Sequence, residues 1–530
     1  MTSDQRPGLS RRRFLAGAGG LLGAAVLPRP GQWPGAWAAP LVQPEGSVFT
    51  LGVASGEPRP DGVVLWTRLA PEPLAAGGGM PPVAVPVRFE VATDDAFRQI
   101  VHTGLALAEP EHAHSLHLDV RGLDPARWYW YRFATATETS PSGRTRTAPG
   151  AGTSPSALRF AFASCQQYEH GYYTAYRHMA EEDLDFVVHL GDYIYESGAG
   201  VYQPPGGNVR RHVGPETTTL DGYRQRLAQY RTDPDLQAAH AAFPWIVTWD
   251  DHEVDNNYAG DISQDNDPPE AFRARRAAAY RAYWEHMPLP PGWAGQGAGM
   301  RIYRRFAFGS LAEFNVLDTR SYRTDQPCGD RAASDCPGRT APTQTITGPE
   351  QEAWLLDGLG RSAARWNVIA QQVFMAQLDL VPGPARGFDV DAWDGYVASR
   401  DRLMAFLGAH PALNPVVLTG DFHSNWVADL KANFDDPRSA TVGTEFVGTS
   451  ITSGGDGSEI YPVGQTALAE NGHLHFANNQ RGYVRCAVTS DRWTADYRVV
   501  PYVRREGAPI STRASFIVDA GHPGAQLGLG

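Results

Sequence analysis

Asp185-Phe186-Val187-Val188-His189-Leu190 is a short apolar run, and it ends on Gly191-Asp192-Tyr193-Ile194-Tyr195-Glu196. An apolar run of this length without alternation reads as a strand buried on both faces. The same texture occurs three more times. Arg159-Phe160-Ala161-Phe162-Ala163 leads into Ser164-Cys165-Gln166. Ala242 to Trp249 leads into Asp250-Asp251-His252-Glu253-Val254-Asp255-Asn256-Asn257. Asn414 to Leu418 leads into Thr419-Gly420-Asp421-Phe422-His423-Ser424-Asn425. Leu311 to Leu317 and Asn367 to Ala370 are further buried strands, while Tyr173 to Glu182 and Glu270 to His286 read as helices. Strands alternating with helices predict a layered α/β domain over 158–505. Sheets of that kind bind ligands beyond the carboxyl ends of their strands, where the four polar clusters fall.

Upstream the texture differs. Val87 to Val91 and His117 to Val120 alternate, and Gly122-Leu123-Asp124-Pro125 is a turn before Trp128-Tyr129-Trp130-Tyr131-Arg132-Phe133. In that last strand Tyr129, Tyr131 and Phe133 share a face. Short strands with regular turns predict a small β-sandwich over 45–148, and its pattern resembles fibronectin type III modules. The Pro/Gly/Ser/Thr-rich segment Ala148 to Ala157 reads as the linker. The tail 506–530 is strand-like and then rich in Gly and Pro, with no helical period at its end.

At the N-terminus Ser10-Arg11-Arg12-Arg13-Phe14-Leu15 precedes an apolar run, Ala16 to Leu27, and then Ala36-Trp37-Ala38. Charge, apolar run and small-x-small cleavage site in that order resemble a twin-arginine signal peptide over 1–38. The chain is therefore expected to meet the twin-arginine export machinery and to reach the periplasm, the cell wall or the medium. The apolar run falls short of the ~20 residues of a membrane span, so no transmembrane anchor is expected.

The formal net charge of -12 over 530 residues argues against stable nucleic-acid binding, because a basic surface supplies most of that attraction. It leaves room for a phosphorylated substrate, since bound cations reverse the sign of a local site. A monomer is the default expectation. Of four cysteines, Cys328 and Cys336 flank a small loop and could close a disulfide in an oxidising compartment. Four cysteines allow three full pairings, and spacing alone does not choose among them. Cys486 lies in a strand-like run and reads as a small buried hydrophobe.

Taken singly, each polar cluster is weak. A lone Asp after a strand is often a cap or turn residue, and a lone His is often a satisfied core residue. Four clusters in order, each after an apolar run, are a metal-centre pattern. Their spacing resembles the calcineurin-like metallophosphoesterase plan, and in detail the alkaline phosphatase D (PhoD-like) family. The resemblance rests on Ala163-Ser164-Cys165-Gln166, Trp249-Asp250-Asp251-His252-Glu253 and Gly420-Asp421-Phe422-His423. It extends to Gly52 to Gly56, Val64 to Arg68, Leu317 to Arg320 and Trp393 to Tyr396, nearly the whole mature chain. It implies two sheets flanked by helices, and ferric iron (Fe3+) with calcium (Ca2+). Cys165 and Tyr195 would bind the iron, Asp192 would bridge metals, and Asp251, Asp421 and His423 would complete the shell. Asn256 and Asn257 are both nearby oxygen donors, with Asn256 the ligand carried forward. A thiolate, a phenolate and several carboxylates make an anionic site, which favours ferric iron and oxygen-seeking calcium over zinc.

The expected chemistry is phosphate mono- and diester hydrolysis. Clustered cations neutralise the phosphate oxygens and bring a bound water towards hydroxide, which attacks phosphorus in line with the leaving alkoxide. His252 is the candidate general acid. Arg320 and Arg323 are candidates for bidentate contacts to phosphate, or for an ion pair with Asp318. Two other hydrolytic plans fail on paper. A cysteine phosphatase needs Arg six positions after the nucleophile, where Gly171 stands, and a serine elbow needs Gly where Phe162 stands. Two alternatives differ in class: a phospholipase D-like enzyme acting on lipid head groups, and a non-catalytic calcium-binding wall protein. The non-helical tail suggests an open site, suited to polymer ends or head groups.

Overall fold

The four apolar runs that precede the polar clusters are strands: Leu158–Ala163, Phe186–His189, Pro244–Val247 and Pro415–Thr419. The structure, a computed structural model, describes residues 46–329, 334, 336–459 and 461–528. The signal-peptide reading of 1–38 lies outside the described residues.

Two large sheets carry these strands. In a ten-stranded sheet the order is His522–Leu527, Ser511–Asp519, Arg492–Val500, Arg481–Val488, Leu158–Ala163, Phe186–His189, Pro244–Val247, Val53–Arg59, Gly62–Arg68 and Ser115–Arg121. Its centre is parallel, with Phe162 beside Val188 and Ile246 also beside Val188. A seven-stranded sheet runs Arg304–Phe308, Ala312–Val316, Trp366–Ala370, Pro415–Thr419, Thr441–Val447, Asn425–Lys431 and Leu474–Asn478. Between them lies an aromatic core in which Phe160, Phe162 and Phe186 of the first sheet meet Phe306, Phe308 and Phe314 of the second. Phe160 stacks on Phe186 at 5.1 Å and meets Phe314 edge-on at 5.1 Å.

Helices cover the outer faces. Trp245, Val247 and Val187 pack outward against Tyr176, Tyr223, Leu227 and Tyr280, which lie on Thr174–Ala180, Leu220–Arg231 and Pro269–His286. Ile369 and Val417 of the second sheet pack against Leu355 and Leu359 of Gly348–Arg361 and Leu403 and Leu407 of Val397–Ala409. The layered α/β expectation is met, and the strand bounds move by at most two residues.

Residues 46–148, the described part of the expected sandwich, are organised differently from a free-standing one. Ile100–Ala108, Val85–Ala92, Trp128–Ala134 and Gly143–Arg146 form a four-stranded sheet. Its buried face, with Val87, Val91, Tyr131 and Phe133, packs on Val53, Val63, Leu65 and Val120. Those four residues belong to strands of the ten-stranded sheet, because Val53–Arg59 runs parallel to Pro244–Val247, with Ser55 beside Pro244 and Gly56 beside Trp245. The tail is also integrated: Ser511–Asp519 pairs antiparallel with Arg492–Val500. Cys328 and Cys336 form a disulfide, while Cys165 and Cys486 are buried and free.

Candidate metal centre

Six of the seven candidate ligands follow closely on the carboxyl end of a strand, as the sequence reading expected, and Asn256 stands farther along, well past Val247. Cys165 follows Leu158–Ala163, Asp192 and Tyr195 follow Phe186–His189, Asp251 follows Pro244–Val247, and Asp421 and His423 follow Pro415–Thr419. The first three strands belong to one sheet and the last to the other, so the site bridges the two layers. Cys165, Asp192 and His423 bring donor atoms within 4.8 Å of one another. So do Asp192, Asp251 and His252, and so do Asp250, Asp251 and Asp421. The Tyr195 hydroxyl donates to Asp192 Oδ2 at 2.7 Å and lies 3.1 Å from His423 Nε2. Ser453 Oγ stands 2.7 Å from that hydroxyl and 2.8 Å from the Cys165 carbonyl oxygen.

The electrostatics of this cluster without a cation are unfavourable in a specific way. Burial pushes the Cys165 thiol well above its ordinary value, and Asp192 and Asp421 push it further. Burial, then Asp192 and Cys165, do the same to the Tyr195 phenol. Asp192 and Asp421 are both raised well above the carboxylate range by burial and by neighbouring carboxylates. Burial takes His423 down to about 3, with Arg481 adding to it, so its imidazole is neutral and free to donate a lone pair. One oxygen each of Asp192 and Asp250 is buried with no hydrogen-bond partner. Crowded anionic donors with orphaned oxygens fit metal cations, which would hold these groups in their charged forms.

His252 sits against this cluster with Nδ1 2.6 Å from Glu196 Oε2 and its ring 4.0 Å from that of Tyr195. Burial disfavours its cation, but Glu196, Asp251 and Asp192 outweigh burial and hold it well above the ordinary imidazole value. Arg320 and Arg323 are placed otherwise than expected for phosphate contacts. Arg320 is fully buried, pairs through Nε with Asp250, and donates from Nη1 to both oxygens of Asp391 at 2.8 and 2.7 Å. Arg323 is spent on the Thr319 carbonyl (2.6 Å), Asp391 Oδ1 (2.6 Å) and the Asp391 carbonyl (3.0 Å). Asp318, the anticipated partner, accepts the backbone N–H groups of Arg320 and Ser321, at 3.0 and 2.8 Å, and neither guanidinium. Arg320 Nη2 alone remains without a hydrogen bond, 3.7 Å from Asp251 and 3.8 Å from Asp421. Asn256 is turned to Gln264, donating from Nδ2 at 2.7 Å, whereas Asn257 gives its backbone N–H to Asp251 Oδ2 at 2.7 Å.

Comparison with known proteins agrees with this geometry. The PhoD-like phosphatase family model matches residues 160–497, and the model for the N-terminal domain of PhoD-like phosphatases matches residues 36–149. The chain belongs to the PhoD-like phosphatases. Alkaline phosphatase D of Bacillus subtilis (strain 168) is 51% identical over 516 residues, 97% of this chain and 88% of that protein. A solved structure of PhoD matches with a TM-score of 0.90 and 53% identity, covering 92% of this chain and 93% of that one. Like its family, this PhoD-like chain is a metal-dependent phosphoric ester hydrolase, which sets aside the reading as a non-catalytic wall protein. Among the described residues no helix is long and apolar enough to cross a membrane.

Several residues of this PhoD-like site carry no signal that spacing could reveal. Glu196 closes the motif that opened the sequence reading, but only folding brings it to His252, 56 positions on. Glu253, buried, accepts backbone N–H groups from Asp192 (3.1 Å), Tyr193 (2.5 Å) and Asp250 (2.8 Å), so one carboxylate clamps two ligand-bearing loops. Asp391 is the hub for Arg320, Arg323 and Gln326, which donates at 2.7 Å. Gly191 has φ 106°, and a Cβ there would come within 2.5 Å of the Asp250 backbone nitrogen. Only glycine fits that close approach.

Proposed function

We propose that the chain is an exported phosphomonoesterase and phosphodiesterase working with ferric iron and calcium. The observation that carries this reading is the joining of Cys165, Asp192, Tyr195 and His423 with Asp251, Asp421 and the Glu196-paired His252 in one largely buried cluster. Cys165 and Tyr195 would hold iron with His423, Asp192 would bridge, and Asp250, Asp251 and Asp421 would offer the hard oxygens that calcium prefers. Bound there, the cations would neutralise phosphate oxygens and lower the pKa of a coordinated water into the neutral range.

The chain's own groups do the rest. Glu196 accepts from His252 Nδ1, which leaves Nε2 as the nitrogen available for proton transfer, and its charge favours the imidazolium form. A charged His252 can then release its proton to the departing alkoxide. Arg320 stiffens Asp250 and Asp391 and adds its remaining N–H and positive charge beside Asp251 and Asp421. Export by the twin-arginine route rests on the N-terminal sequence alone. The segments 36–149 and 160–497 match separate family models, which supports two inherited units, while the fibronectin III-like character of the first rests on its sequence pattern alone.

The test is hydrolysis of bis-p-nitrophenyl phosphate and p-nitrophenyl phosphate with iron and calcium supplied, beside Asp192→Asn. Wild type is expected to turn over both esters and to lose activity on chelation. Asp192→Asn should fall at least about a hundredfold, the scale on which loss of a group that organises transition-state charge is felt. Activity that survives both chelation and Asp192→Asn would overturn the reading.

A further inference from the structure

Between Glu196 and the helix Leu220–Arg231 the chain runs as a long loop without regular structure, and this loop is fastened at defined points. The buried Glu169 carboxylate accepts the Gly200 N–H at 3.0 and 3.2 Å and the His212 N–H at 3.0 Å. Asn208 Nδ2 donates to the Tyr202 carbonyl at 3.0 Å. His170 Nδ1 accepts the Gly454 N–H at 3.0 Å, which leaves Nε2 as the donor that reaches the same carbonyl at 3.4 Å. These contacts fix the backbone of Tyr202 while its side chain stands half-buried over the centre.

That side chain is placed against the candidate acid. Its ring meets the ring of His252 edge-on, 5.7 Å between centroids and 82° between planes. A tyrosine phenol is neutral at ordinary pH and so offers an O–H donor on the His252 side of the centre. The neighbouring phenols are committed to the protein: Tyr193 to His240, Tyr173 to the Gln166 carbonyl, Tyr176 to Gln166 Oε1, and Tyr195 to Asp192. The Tyr202 hydroxyl has no such partner among the described residues. The Tyr202 side chain is half-buried and Val201, next in the chain, is 65% exposed, so this stretch of the loop lies near the surface rather than in the core.

We propose that the Tyr202 hydroxyl donates a hydrogen bond to the leaving-group oxygen of the substrate, on the His252 side, and that it is a specificity-determining residue for esters of poorly stabilised alkoxides. The proposal rests on the ester-hydrolysis reading above, with His252 giving the proton and Tyr202 only a hydrogen bond. An alkoxide departing from an alkyl phosphate carries concentrated charge and needs such a donor. A p-nitrophenolate spreads its charge and needs it less.

Tyr202→Phe removes the hydroxyl alone. With iron and calcium present, kcat/KM on glycerol phosphate should fall about tenfold, the worth of one net hydrogen bond, and on p-nitrophenyl phosphate less than about twofold. The thermal midpoint should not move. Equal losses on the two esters accompanied by a lower midpoint would make Tyr202 a packing residue and overturn the proposal. So would a Tyr202→Phe enzyme indistinguishable from wild type on both esters, and that result would leave the parent reading standing. A wild-type enzyme that hydrolyses neither ester would overturn both.

Discussion

At the residue scale, the candidate ligands share an unusual backbone. Cys165, Asp192, Asp421 and His423 all have positive φ, at 59°, 56°, 57° and 54°. The left-handed region costs a residue with a Cβ roughly 1–2 kcal/mol. Four such residues at one site mean that the fold is held against local preference in order to turn donors inward at strand ends. The charged neighbourhood is costly as well. Asp255, three residues past His252, is buried and pairs with Arg275 at 3.2 Å, yet burial raises it to about 7 from an ordinary 3.8. The folded state therefore binds a proton that the unfolded chain has lost. Its contribution to stability is complete below about pH 4 and is lost as pH rises through about 7, at no more than about 1.4 kcal/mol per pH unit. The thermal midpoint of wild type should fall more between pH 5 and 8 than that of Asp255→Asn, as read by calorimetry. Parallel curves for the two proteins would refute this.

At the scale of elements, strands supply position and loops supply chemistry, and a few buried polar side chains register the loops on one another. Glu253 has the largest such task. Glu253→Ala strands three buried N–H groups, so a loss of at least about 2 kcal/mol is expected. It should also weaken metal retention, because Asp192 and Asp250 lose their shared brace. Denaturant unfolding and metal content after dialysis would measure the two effects, and a stable, metal-retaining Glu253→Ala would contradict the clamp. The sequence legible at this scale was the set of apolar runs, since burial on both faces requires Phe, Val, Ile and Leu without interruption. Strand ends were legible too, because Gly191 and Gly420 mark the turns. The partner of a carboxylate was not. Arg320 next to Asp318 in sequence reads as a local pair, and in three dimensions it serves Asp250 and Asp391, about 70 positions away on either side.

At the scale of the whole molecule, the N-terminal segment and the catalytic layers share one sheet. Val53–Arg59 supplies the hydrogen-bonding neighbour of Pro244–Val247, and Asp251 hangs from the end of the latter strand. Trp66 donates from Nε1 to the Glu285 carbonyl at 3.0 Å, and the half-buried His117 ring stacks on Trp284 at 4.0 Å. The described residues also fall within one compact unit. A single calorimetric transition is therefore expected, without early melting of the segment 46–148. Two resolved transitions, the first removable by truncation, would show that the shared sheet does not couple them.

The sequence by itself determined the class of chemistry. Donor type and order along the chain are local facts: a thiol, a Gly-Asp, an Asp-Asp-His-Glu and an Asp-x-His, each after a buried strand, specify an anionic metal centre wherever the strands converge. It also determined the layers, because periodicity reports burial directly. Only the tertiary structure decided which arginines were already paired, which asparagine turned to Asp251, and that Glu196, Glu253, Asp391 and Tyr202 belong to the site. These are contacts between residues distant in the chain, and a hydrogen bond of 2.6 Å leaves no mark on either residue's neighbours in sequence. The same holds for the joined sheet: no strand's own composition says which edge it will meet.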